Sequence, residues 1–187
     1  LYELTIPLSS KQYMSTHYNM HNLYPLQEGK TTMHASHGVL GVRTIGVSRA
    51  SYPGTGHYNS HWLGDNKSNF TDLYQSIAGI LNFQLFGIPL VGADICGFHG
   101  NATEELCTRW IELGSFYPFA RNHAHKTSRQ QELYSFGPQL VEVSKQMIYN
   151  RLRLLPYYYT LFYQAHKFGG TVINAMAMLW PNEDACL

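Results

Sequence analysis

Residues 88–98, "IPLVGADICGF", are a short apolar run with a helical pattern on either side, and that arrangement constrains the fold more than any other feature. The run reads as a strand buried on both faces. Before it, Leu73, Ile77, Ile80 and Leu81 fall at i, i+4, i+7 and i+8, one face of a helix. Thr71 stands where an N-cap belongs, Gly87 closes the segment and Pro89 follows. After the run, Asn101 to Glu105 open a second helix. Thr103 can cap it, Glu104 and Glu105 suit its N-terminal dipole, and Leu106, Trp110 and Leu113 carry the stripe on.

The same alternation extends both ways. "GVRTIGVSR" (41–49) reads as a buried strand, and residues 50–61 as a loop marked by Pro53, Gly54 and Gly56. "SHWLG" reads as a short intermediate strand and "FYPFARNH" (116–123) as another. Residues 22–37 read as a loop running into a helix. A long helix is expected from Pro138 to Lys167, kinked or broken at Pro156. Strand and helix in alternation imply a parallel sheet with helices packed outside it. The strands end on Arg49, Asp94 and Asn122–His123, and Asp65 follows the short one. In barrel enzymes such ends form the active-site face. Four of them look like half of a (β/α)8 barrel, which leaves two open strand edges.

Composition narrows the function classes. Charged residues make up 13% and the net charge is +1, so no footprint for nucleic acid or a membrane surface is present. No apolar run approaches the roughly 18 residues of a membrane span. The chain opens on Leu1 with no signal-peptide pattern and reads as cut or processed from something longer. Cys96, Cys107 and Cys186 have no metal-ligand spacing with the histidines, and neither a metal nor a cofactor is expected. Cys96 and Cys107 are either two buried thiols or the ends of a small disulfide loop. Sequons begin at Asn66, Asn69 and Asn101. They lean towards an oxidising, secretory compartment: lysosome, cell surface or secretion. Asn101, in a Gly-flanked loop, and Asn69 are the candidate glycosylation sites.

Five runs in fixed order then resemble glycoside hydrolase family 31, the α-glucosidase family: "THYNMHNLY", "SRASYPGTGHYNSHWLGDN", "GIPLVGADICGFHGNATEELCTRW", "LGSFYPFARNH" and "LRLLPYYYTLFYQAH". Members are several times longer than this chain. The resemblance therefore implies a fragment, strands five to eight of a TIM (β/α)8 barrel. Residues 1–180 would be partial barrel and residues 181–187 the start of a linker or tail. In the W-x-G-D-N context, Asp65 resembles the general acid/base of a retaining α-glucosidase. Such an enzyme hydrolyses terminal non-reducing α-1,4-linked glucose. A glycosidic oxygen leaves poorly unless protonated, and the same carboxyl must later take a proton from water. The carboxylate nucleophile lies upstream in the family, in a run absent here, so this chain alone should be inactive.

Further roles follow from the same resemblance. It makes Arg49 and His123 sugar-binding groups, Asp94 part of the sugar pocket, and Trp62 and Phe98 its aromatic walls. It pairs Cys96 with Cys107, as in the family's animal members. The expected partners are an α-glucoside and the remainder of the barrel, on the same precursor or another chain.

Three stretches depart from the family pattern. Ala50-Ser51-Tyr52 stands for Ser-Thr-Phe, Ala124 stands for an asparagine, and "TVINAMAMLW" lacks the usual arginine, proline and glutamate. These departures and the missing nucleophile keep a second expectation open, a non-catalytic homologue that binds carbohydrate or protein.

Overall fold

A computed structural model describes residues 5–186 of the 187. Residues 1–4 and residue 187, at the ends of the two expected segments, lie outside the described residues. The chain divides into two compact units, residues 1–60 and 61–187.

The first unit begins with a small antiparallel hairpin of β1 (Lys11–Gln12) and β2 (Ser15–Thr16). Helix α1 (His17–Met20) passes through a 3-10 turn at His21–Leu23 into α2 (Tyr24–Leu40). The loop expected ahead of the helix is therefore helical. Pro25 in the first turn of α2 has the φ that turn needs and has no N–H to leave unsatisfied. Gly41, at φ 66°, ends α2. Of the strand expected over 41–49, only β3 (Val47–Ser48) forms, because the start of that run belongs to the helix cap. Gly29 and Gly46 both press on the Asn59 side chain, where a Cβ would come within 2.4 and 2.2 Å of it.

The second unit is built on parallel pairing. β4 (Ser60–Trp62) lies beside β5 (Val91–Gly92), with His61 opposite Val91 and Trp62 opposite Gly92. β6 (Asp94–Ile95) lies beside β7 (Arg121–Asn122), with Asp94 opposite Arg121 and Ile95 opposite Asn122. The apolar run 88–98 is thus not one uninterrupted strand. It pairs with β4 first and then, past Ala93, with β7. The 116–123 run is shorter than expected for a different reason. Phe116 and Tyr117 donate their N–H groups back to Leu113 and Gly114, so they finish the preceding helix instead of entering the sheet.

Helix α3 (Phe70–Leu85) connects β4 to β5, and α4 (Glu104–Gly114) connects β6 to β7. The cap of α3 is Asn69, whose side chain accepts from the Asp72 N–H; Thr71, the expected cap, is already inside the helix. The buried face of α3 also differs from the expected stripe. Ile77 is exposed, whereas Ser76, Ile80 and Gln84 are buried. Two of those three are polar and both are satisfied. Ser76 bonds Tyr117 Oη, and Gln84 accepts from the Val172 and Ile173 N–H groups. Thr103 caps α4 as expected, accepting from Leu106.

Helix α5 (Pro138–Phe168) runs 31 residues and continues through Pro156 unbroken. Its Arg151 donates to the carbonyls of Ser115, Tyr117 and Pro118, the acceptors left over where α4 ends. Burial pulls the Arg151 pKa down from its usual value. The core gathers Val91, Ile95, Leu106, Trp110, Ile111 and Leu140 between the strands and α4 and α5. Trp110 is fully buried, and its indole N–H donates to Tyr117 Oη. A short helix, α6 (Met176–Leu179), follows.

Candidate active site

Parallel strands point their carboxyl ends the same way, so the residues that follow β4, β6 and β7 share one rim. Gly64, at φ 93°, turns the chain out of β4, and Asp65 comes next. Its side chain is 36% exposed and lines an open cleft of about 340 Å³ with Leu63, Asp72, Gln75 and Ser76. His99 Nε2 stands 3.9 Å from Asp65 Oδ2, an electrostatic contact too long for a hydrogen bond.

Asn66, the next residue, ties this turn to the neighbouring one. Its amide donates to the Asp94 carbonyl at 3.0 Å, and its side-chain oxygen accepts from the Phe98 N–H at 3.0 Å. The Asn66 main-chain oxygen accepts from His99, and Ser68 donates to the His99 carbonyl. Lys67 and His99 form an isolated parallel bridge.

Asp94 is wholly buried. Arg121, opposite it in the ladder, donates through Nε at 3.1 Å and Nη2 at 2.7 Å, both to Oδ1. The guanidinium also lies 5.0 Å over the Trp62 ring, and the Trp62 indole faces the Asp94 carboxyl. Burial pushes the Asp94 pKa above the ordinary carboxylate value. Arg121, the Trp62 indole and the charge of His123 oppose that rise without cancelling it.

Beyond β7, His123 is exposed and stacks on Phe98 at 5.0 Å and 27°. His99 and His125 complete a ring of imidazoles round Phe98. A second cleft of about 430 Å³ holds Asn122, His123, His125 and Gln131. Asp65 and His123 thus line different clefts, while Asp94 is sealed between Trp62 and Arg121. Arg49 is exposed, directly after β3 in the first unit.

The Cys96–Cys107 disulfide closes the segment between β6 and α4, and Asn101 within it is exposed. Asn69 serves as the α3 cap. Among the described residues, no group of three His, Cys, Asp or Glu side chains is placed to hold a metal ion.

Sequence reasoning missed Arg121, Asn66 and Gln131. Arg121 precedes a residue that was singled out, and the signal for it was the buried Asp94, which needs a cation close by. Asn66 belongs to the W-x-G-D-N run, but nothing marked its bridging role or that of Gln131, because a side chain that bonds main-chain groups of distant loops has no local pattern.

Residues 4–161 match a known family, the glycosyl hydrolases family 31 TIM-barrel domain. The chain is 47% identical over 179 residues to the lysosomal alpha-glucosidase of Rattus norvegicus, an alignment covering 96% of this chain and 19% of that protein. It is 41% identical over 177 residues to the intestinal sucrase-isomaltase of Homo sapiens, covering 92% of this chain and 10% of that one. Among solved structures, the Tris-bound glucosidase II alpha subunit superposes with a TM-score of 0.90 at 34% identity, covering 98% of this chain and 20% of that chain. The chain spans about a fifth of the length of the lysosomal relative.

Proposed function

The chain belongs to family 31 of the glycosyl hydrolases, by its TIM-barrel domain, and on that premise we propose that it is strands five to eight of the catalytic barrel of a retaining α-glucosidase. Residues 1–180 are the barrel portion. Asp65 is the general acid/base. The carboxylate nucleophile comes from a polypeptide segment outside this sequence, about 5–5.5 Å from Asp65 across the bound sugar.

In the first step Asp65 gives its proton to the glycosidic oxygen as the C–O bond breaks, and the nucleophile takes the anomeric carbon. In the second, the ionised Asp65 removes a proton from water, which attacks that carbon and releases glucose with its configuration retained. Trp62, Phe98 and His123 line the sugar subsite, the buried Asp94 is part of that pocket's wall, and Arg49 is a further sugar-binding group. The substrate is a terminal, non-reducing α-1,4-linked glucose of maltose, oligosaccharides or glycogen. The other partner is the rest of the barrel, on the same precursor or another chain. The Cys96–Cys107 disulfide supports a secretory setting, as do the lysosomal and intestinal relatives.

One observation carries this reading: the partly exposed Asp65 carboxyl stands directly beyond β4, beside a cleft, on the rim shared with His123. The test is Asp65→Asn in the full-length protein. Maltose turnover should fall about 10²–10⁴-fold, the share of general acid–base catalysis. Sugar binding should survive. Consumption of α-glucosyl fluoride, whose leaving group needs no proton, should fall far less. Undiminished maltose turnover in Asp65→Asn would refute the assignment. A wild-type protein that binds maltose without cleaving it would instead favour the non-catalytic homologue.

A further inference from the structure

Gln131 is 6% exposed, yet it lies in a loop between β7 and α5 where most of its neighbours are at the surface. Its side-chain Nε2 has two hydrogens. Four oxygens crowd it: Ile95 O at 3.1 Å, Gly97 O at 3.1 Å, Asn122 Oδ1 at 3.0 Å and His123 O at 3.4 Å. The Asn122 amide returns a bond to the Gln131 main-chain oxygen at 2.7 Å. Two segments, 95–97 at the end of β6 and 122–123 at the end of β7, therefore point oxygens at one buried amide. Without it, those oxygens would face each other with no hydrogen between them.

The backbone on the β6 side is also under constraint. Cys96 has φ 73°, left-handed for a residue with a Cβ, and Gly97 follows at φ 88°. Such outliers persist only where their surroundings hold them, and they cluster at functional sites. Here the disulfide holds Cys96 through its side chain, and Gln131 holds the carbonyls on either side of it. The next residue, Phe98, is the ring on which His123 stacks. Both members of that stack are thus attached to segments joined by Gln131.

We propose that Gln131 is a positioning residue: it sets the Phe98–His123 wall, and it acts on substrate binding through His123 without touching substrate. The inference rests on the reading of His123 as a sugar-binding group.

A double-mutant cycle in the full-length protein tests it, with KM and kcat measured on an aryl α-glucoside. His123→Ala should raise KM about three- to tenfold, the value of one lost hydrogen bond. Gln131→Met, similar in length but without donors, should raise KM by a comparable factor and leave kcat within about twofold. In the His123→Ala background, Gln131→Met should raise KM no further. If the two increases multiply, or if Gln131→Met leaves KM at the wild-type value, the inference is overturned and the glucosidase reading stands. A His123→Ala protein with wild-type KM overturns the sugar-binding role of His123 and this inference with it. If Gln131→Met does not accumulate as folded protein, Gln131→Leu takes its place in the same cycle; it is apolar and loses both donors.

Discussion

Replacing Arg121 by Met would leave Asp94 as a buried carboxylate with only the Trp62 indole and the more distant His123 to offset its burial. Removing one partner of a buried ion pair costs about 3–5 kcal/mol, because the other charge is left uncompensated. The lower end applies here, since the Arg121 side chain is 35% exposed and water can take over part of its role. Loss of the guanidinium from the Trp62 face adds about 0.5–1 kcal/mol. The sign of the pH dependence follows from Asp94. Burial already raises its folded pKa above the usual 3.8 despite Arg121. Folding therefore binds a proton more tightly than unfolding, and stability falls as pH rises from the unfolded value through the folded one. Without Arg121 the two main opposing influences vanish, so the fall is deeper and extends to higher pH. Urea denaturation of the full-length protein should show Arg121→Met destabilised by about 3–4 kcal/mol at pH 7 and by less near pH 4, where a larger share of the carboxyl is protonated. In an Asp94→Asn background the pH-dependent part should disappear. An equal loss at both pH values, persisting in that background, would refute the reasoning.

Two further outcomes are expected. Reducing the Cys96–Cys107 disulfide, or replacing both cysteines by Ala, should lower stability by about 3 kcal/mol, the chain-entropy value for so short a loop, as read by thermal unfolding with and without reductant. Gly92→Ala should prevent β4 and the Phe119 segment that leads into β7 from both closing on the central run, because a Cβ there would sit 1.8 Å from the Phe119 carbonyl oxygen; a folded, fully soluble Gly92→Ala protein would contradict that crowding.

The parallel-sheet architecture was legible because its signals are local. Helical periodicity placed α3 and α4, and Thr103 ahead of two glutamates marked the start of α4. Other features escaped because tertiary bonds decide them. Ile77 fits the α3 stripe by spacing, but Tyr117 and the 172–173 segment supply partners for Ser76 and Gln84, so a polar face goes inward. Asn69 outcompetes Thr71 as cap because the extended backbone at Asn69 lets its side chain reach back to Asp72. Strand ends were overestimated where a helix cap or a helix exit used the same residues, at Gly41 and at Phe116–Tyr117. The Cys96–Cys107 disulfide came from family resemblance, since spacing alone could not choose between a bond and two thiols. For the candidate site, short motifs drew attention to Asp65, Asp94 and His123. Arg121 and Gln131, which hold the rim in place, act across 27 to 36 residues of sequence, beyond the reach of any local pattern.

The changeover at Ala93 has a mechanical corollary. A strand gripped by one neighbour can slide along it, and a slip of one position sends every side chain to the opposite face. Here the run is held on one side by β4 and on the other by β7 and by Phe119, whose N–H donates to the Val91 carbonyl, so any slip must break both sets at once. The Asp94 carboxyl is consequently a fixed bearing from which the rim takes its alignment.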